Sequence, residues 1–77
     1  MKEIKVCIPR VEDVKEFNAA CCRSICNIDV GTGRYVVDGK SILGLYSLDL
    51  SKPVLVSVHG EESEIAAFKS DIARFTL

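Results

Sequence analysis

Asp38-Gly39-Lys40-Ser41-Ile42-Leu43-Gly44-Leu45-Tyr46-Ser47-Leu48 compresses the end of a strand, a helix cap and an apolar ridge into one short stretch. Ser41 stands where a helix should begin. Its hydroxyl can accept from the N–H groups two or three residues on, which the first helical turn leaves without partners. Ile42, Leu45 and Leu48 recur at helical spacing and predict a short amphipathic helix over 41–48. Leu43 and Tyr46 fall on a neighbouring face, and Gly44 between them keeps that ridge low.

Reading outward from this stretch, the period changes on both sides. Asn27-Ile28-Asp29-Val30 alternates, Gly31-Thr32-Gly33 supplies a turn, and Arg34-Tyr35-Val36-Val37 is rich in strand formers, so a β-hairpin precedes the helix. Before it, Val14, Phe17, Cys21 and Ile25 mark one stripe of an amphipathic helix whose first turn holds Glu12 and Asp13. Ile4, Val6 and Ile8 alternate with Lys5 and Cys7 and predict a first strand over 2–8, ended by Pro9. After the short helix, Asp49 to Pro53 breaks the pattern, and Val54, Val56 and Val58 make one face of a last strand. Glu61, Glu62 and Glu64 then open a helix with Ile65, Phe68, Ile72 and Phe75 as its buried stripe.

The order is βαββαβα. Without equal βαβ units it predicts an α+β layer, with helices on one face of an antiparallel sheet and water on the other. The 77 residues form one domain, 1–77, whose single core buries about 60% of the surface exposed by the unfolded chain. Hydrophobic residues make up 48%, which excludes a disordered chain. Ten Lys and Arg against eleven Asp and Glu leave a formal charge of −1, so no basic field draws the chain to nucleic acid. No window approaches the roughly 18 apolar residues of a membrane span, and the first residues lack the apolar run of a signal peptide. A cytoplasmic protein with no membrane partner is expected, and Cys7, Cys21, Cys22 and Cys26 are read as reduced thiols acting mainly as small buried side chains.

Lys40-Ser41-Ile42-Leu43-Gly44-Leu45-Tyr46-Ser47-Leu48 closely resembles the Lys-Ser-Ile-x-Gly-x-x-Ser-Leu segment of HPr, the histidine-containing phosphocarrier of the bacterial sugar phosphotransferase system. The resemblance runs from about Phe17 to Phe75, with Val54 to Glu62 looking like the family's last strand and the start of its last helix. It implies an HPr-like open-faced β-sandwich, with a four-stranded antiparallel sheet of order 1-4-2-3 and three helices on one face. By the same resemblance, Ser41 matches the serine that HPr kinase phosphorylates in many Gram-positive bacteria. Lys40, Ile42, Leu43 and Tyr46 belong to the surface that family members present to HPr kinase, enzyme I and regulatory proteins.

The first third departs from the family. HPr carries Gly-Leu/Ile-His-Ala/Thr-Arg-Pro between its first strand and first helix, where the histidine takes a phosphoryl group from enzyme I. Here Ile8 is followed by Pro9-Arg10-Val11-Glu12-Asp13-Val14, and helical register puts Arg10 nearest the position of that histidine. Guanidinium stays protonated and offers no lone pair as a nucleophile. Glu12 and Asp13 would also repel a phosphate from the helix N-terminus.

Other chemistry is sparse. His59 is the sole histidine, placed at the end of the last strand with no partner in sight, and is read as a surface residue. Cys7 shares the open face of the sheet with it, which admits a contact between the two. Cys22 and Cys26 are four apart and can share a helix face beside Cys21, yet three thiols in one turn without a second pair make a poor zinc site. Packing is the favoured role. The expectation is a non-enzymatic HPr-like domain, without cofactor or metal and with a degenerate phosphocarrier site, that acts by protein contact. The alternatives are a working carrier or accessory component of the phosphotransferase system and, last, a thiol-based metal or redox protein.

Overall fold

The computed structural model describes residues 2–77. Its elements are β1 (Lys2–Val6), α1 (Val11–Arg23), β2 (Asn27–Thr32), β3 (Tyr35–Asp38), α2 (Ile42–Tyr46), β4 (Val54–His59), α3 (Glu62–Asp71) and a closing 3₁₀ turn, Ala73–Phe75. The strands form one antiparallel sheet of order β1-β4-β2-β3, as the resemblance implied.

Side-chain alternation sets the register. Val54, Val56 and Val58 of β4 lie opposite Val6, Ile4 and Lys2 of β1 on one side, and Val56 and Val58 lie opposite Val30 and Ile28 of β2 on the other. A slip by one residue would turn these valines to water, so the pattern excludes that register. The helices cover this face. Phe17 of α1 meets Phe68 and Phe75 edge-on, with ring centroids 6.3 and 6.4 Å away, so that α1 and the C-terminal elements close over the sheet around three aromatic rings. The other face carries Glu3, Lys5, Asn27, Asp29 and Asp38, all exposed.

The β2–β3 hairpin turns through Gly33, whose φ of 57° is in the left-handed region that side chains avoid. The C-terminus returns to β1: Cys7 N–H donates to the Phe75 carbonyl at 2.8 Å, and Leu77 N–H to the Lys5 carbonyl at 3.1 Å. Regular strand ends at Val6, opposite Val54 where β4 begins just after Pro53, and Ile8 serves the core from the loop beyond it.

Several expectations need correction. Ile25 is 76% exposed because α1 stops at Arg23, and Cys26 fills the core in its place. α2 is shorter than the 41–48 span, with Leu48 buried just beyond it. The last helix breaks at Ile72, and the 3₁₀ turn delivers Phe75 to the core. Cys22 is exposed and Cys7 half-buried, so only Cys21 and Cys26 act as buried apolar side chains.

Candidate functional site

An isolated helix as short as α2 does not persist in water, so its neighbours must hold it. Ser41 has extended backbone and its Oγ accepts from Gly44 N–H at 3.1 Å, the cap read from the sequence. Ser47 Oγ donates to the Gly44 carbonyl at 2.6 Å, closing the other end. Leu45 is wholly buried and pins the middle.

The turn before the helix is held as firmly. Lys40 N–H donates to Asp38 Oδ1 at 2.9 Å and Ser41 N–H to the Asp38 carbonyl at 3.0 Å, the local bonding that suits Asp-Gly to turns. From α1, Asn18 Nδ2 donates to the Gly39 carbonyl at 3.1 Å, and Cys22 Sγ lies 3.6 Å from the Lys40 carbonyl. No local pattern marks these two anchors, which sit on a helix more than fifteen residues upstream. Gly44 also has a packing role that its place in the ridge did not announce. A Cβ there would lie 3.2 Å from both Ser41 Oγ and Val37 Cβ, so its absence lets α2 approach its own cap and β3.

What reaches solvent is Ser41, Leu43 at 79% exposure and Tyr46 at 43%. Lys40 is half-exposed, while Ile42 packs partly against the core and offers only its edge. The result is an apolar ridge beside a capping hydroxyl and an ammonium group.

The N-terminus of α1 holds no comparable device. Arg10 is its N-cap residue and makes no side-chain capping bond; its Nε lies 3.6 Å from Glu12 Oε2 in an exposed pair. Such a pair contributes little to stability. Glu12 and Asp13 occupy the first turn, where carboxylates take up the positive end of the helix dipole.

His59 does have a partner. Antiparallel register sets Asn27 opposite His59 and Asp29 opposite Ser57, which brings Asp29 Oδ2 to 3.4 Å from His59 Nε2 on the open face. Residues from two separate strands create this pair, so local pattern could not foresee it. Cys7 follows β1 at the Val54 end of β4, whereas His59 ends that strand, roughly 17 to 20 Å away along the sheet. The contact between them does not form.

The thiols are likewise dispersed. Cys22 lies on α1 and Cys26 beyond its end, so they share no helix face. Burial pushes the Cys21 thiol up to about 12, which keeps it protonated and poor as a ligand or nucleophile. Among the described residues, no three His, Cys, Asp or Glu side chains are grouped to hold a metal ion. Among the same residues, no helix is long and apolar enough to cross a membrane.

No protein-family model matches the sequence, and comparison with curated proteins gives no match. Solved structures do match. HPr-C-His from Thermoanaerobacter tengcongensis superposes with a TM-score of 0.76 and 27% identity, covering 95% of this chain and 92% of that one. The histidine-containing phosphocarrier protein of a Mycoplasma gives a TM-score of 0.72 over 95% of this chain and 91% of that one; at 11% identity it speaks for the fold alone. The chain is therefore an HPr-like α+β domain, with structural neighbours among the HPr phosphocarrier proteins.

Proposed function

We propose that this HPr-like domain serves the phosphotransferase system by protein contact rather than as a phosphohistidine carrier. The observation that carries this reading is the N-terminus of α1, where Arg10 stands at the N-cap position beside Glu12 and Asp13 and no imidazole is present. A phosphoryl carrier needs a nucleophilic nitrogen and donors around the transferred group. No nucleophilic nitrogen stands there, the carboxylates of Glu12 and Asp13 oppose a phosphate at that helix end, and His59 lies at the far end of β4 among Asp29, Asn27 and Ser57.

The working surface on this reading is Ser41, Lys40, Leu43 and Tyr46, with the edge of Ile42. Partners are proteins such as HPr kinase, enzyme I or a regulator, and the setting is the bacterial cytoplasm. Ser41 is the candidate for regulatory phosphorylation. Its Oγ is exposed and lies at a helix start, where a phosphate gains about 0.3 to 1 kcal/mol from the helix dipole.

The deciding experiment incubates the purified protein with enzyme I and phosphoenolpyruvate and measures intact mass. No phosphoryl adduct is expected. An acid-labile adduct that disappears in His59→Ala would overturn the proposal in favour of a working carrier.

A further inference from the structure

We infer that the free edge of β3 joins a second copy of this chain, with the two β3 strands antiparallel about a two-fold axis at Val36. The proposal stands apart from the Ser41 surface. It begins with the contrast between the two edges of the sheet. Beyond β1, the C-terminal residues bond to Lys5 and Cys7, and the strand itself carries Lys2, Glu3 and Lys5. Both are devices that stop an edge from pairing. Along β3 no segment among the described residues bonds to the outer edge, its charges, Arg34 and Asp38, stand only at the two ends, and the middle presents Tyr35 at 66% and Val36 at 67% exposure.

Backbone geometry fixes which groups are free. Gly39 N–H donates to the Ile28 carbonyl at 2.8 Å, and Val30 lies opposite Val37. Strand alternation then turns the N–H and C=O of Tyr35 and Val37 toward β2 and those of Val36 outward. With Val36 opposite Val36 of the second copy, each N–H meets the other's carbonyl, giving two symmetric bonds at the axis.

The same register is self-complementary in side chains. The sequence Arg34-Tyr35-Val36-Val37-Asp38 reads basic, aromatic, apolar, apolar, acidic. Reversed against itself, it sets Arg34 beside Asp38 at both ends, Tyr35 beside Val37 on the helix side, and Val36 beside Val36 on the open face. Aromatic with β-branched and opposite-charge neighbours are favourable cross-strand pairs. Arg34 makes no ion pair within one copy among the described residues, and Asp38 Oδ1 takes only the Lys40 N–H. Shifting the register by two residues breaks both ionic pairings, so charge selects this one. The product is a continuous eight-stranded sheet with an isologous interface, small and therefore weak.

Sedimentation of the intact chain from roughly 10 µM to 1 mM tests this. The mass should climb from 8.4 kDa toward twice that value. Val36→Pro, which removes the outward N–H and the valine side chain at the axis but no bond to β2, and which suits an edge strand, should hold the mass at one chain with an unchanged circular dichroism spectrum. Arg34→Asp and Asp38→Arg should each weaken self-association about tenfold by setting like charges opposite each other, and mixing the two variants should restore a dimer. Should Val36→Pro fail to fold, the mixing experiment decides. A single-chain mass at 1 mM, a dimer that survives Val36→Pro, or no recovery on mixing would overturn the proposal.

Discussion

The Cys21 thiol lies 3.1 Å from the point where a side chain on Gly39 would begin, and Ile28 Cγ2 lies 2.9 Å from the same point. Gly39 is buried at the crossing of α1, β2 and the turn into α2, with Asn18 bonded to its carbonyl. The space for one hydrogen atom thus determines how α2 seats against the domain.

Gly39→Ala should therefore destabilise the fold by about 1 to 3 kcal/mol, the usual effect of overpacking a filled site. Urea unfolding measures it. Adding Cys21→Ala should recover only part of the loss, because Ile28 still blocks the site.

Ser41→Ala removes the acceptor for Gly44 N–H and should cost about 0.5 to 2 kcal/mol. Ser41→Asp keeps a capping oxygen and should stay close to wild type. Hydrogen exchange at the Gly44 amide separates the two, with faster exchange expected in the alanine variant alone.

Leu43 is the most exposed large apolar side chain on α2. Leu43→Ala should change stability by no more than about 0.5 kcal/mol, as surface substitutions do. If the proposed protein-contact role holds with HPr kinase as partner, the substitution should nevertheless weaken that binding, measured by titration calorimetry. A stability loss of core size would mean that the ridge is structural.

The raised Cys21 thiol gives stability a pH dependence. Its value moves from 9.0 to about 12 on folding, chiefly through burial. Between those values the unfolded chain has released the proton and the folded chain still holds it, so stability is complete below pH 9 and falls as pH rises toward 12. Chemical denaturation between pH 8 and pH 11 should show this decline, reduced in Cys21→Ala. In the folded protein at pH 8, a disulfide reagent should modify exposed Cys22 first and reach Cys21 and Cys26 only on unfolding.

Phe17 is wholly buried and meets both other aromatic rings of the core. Phe17→Ala should cost about 3 to 5 kcal/mol, a large share of what a domain of this size commonly possesses. Thermal unfolding should show a midpoint lowered by many degrees or no cooperative transition.

The sequence by itself determined the order of elements, the inward face of each strand and the Ser41 cap, because periodicity and capping are local properties of the chain. Val54, Val56 and Val58 alternate visibly, and a hydroxyl three residues before Gly44 announces its own bond. It also determined that no histidine stands between β1 and α1. Only the tertiary structure decided the contacts between distant segments: Asn18 and Cys22 on the turn before α2, Asp29 beside His59, Cys26 in the core where Ile25 was expected, and the uncovered edge at Val36. The physical reason is that strand register and helix seating join residues ten to thirty positions apart. Whether a side chain then meets water, a neighbour or a free sheet edge depends on that geometry, which no local pattern records.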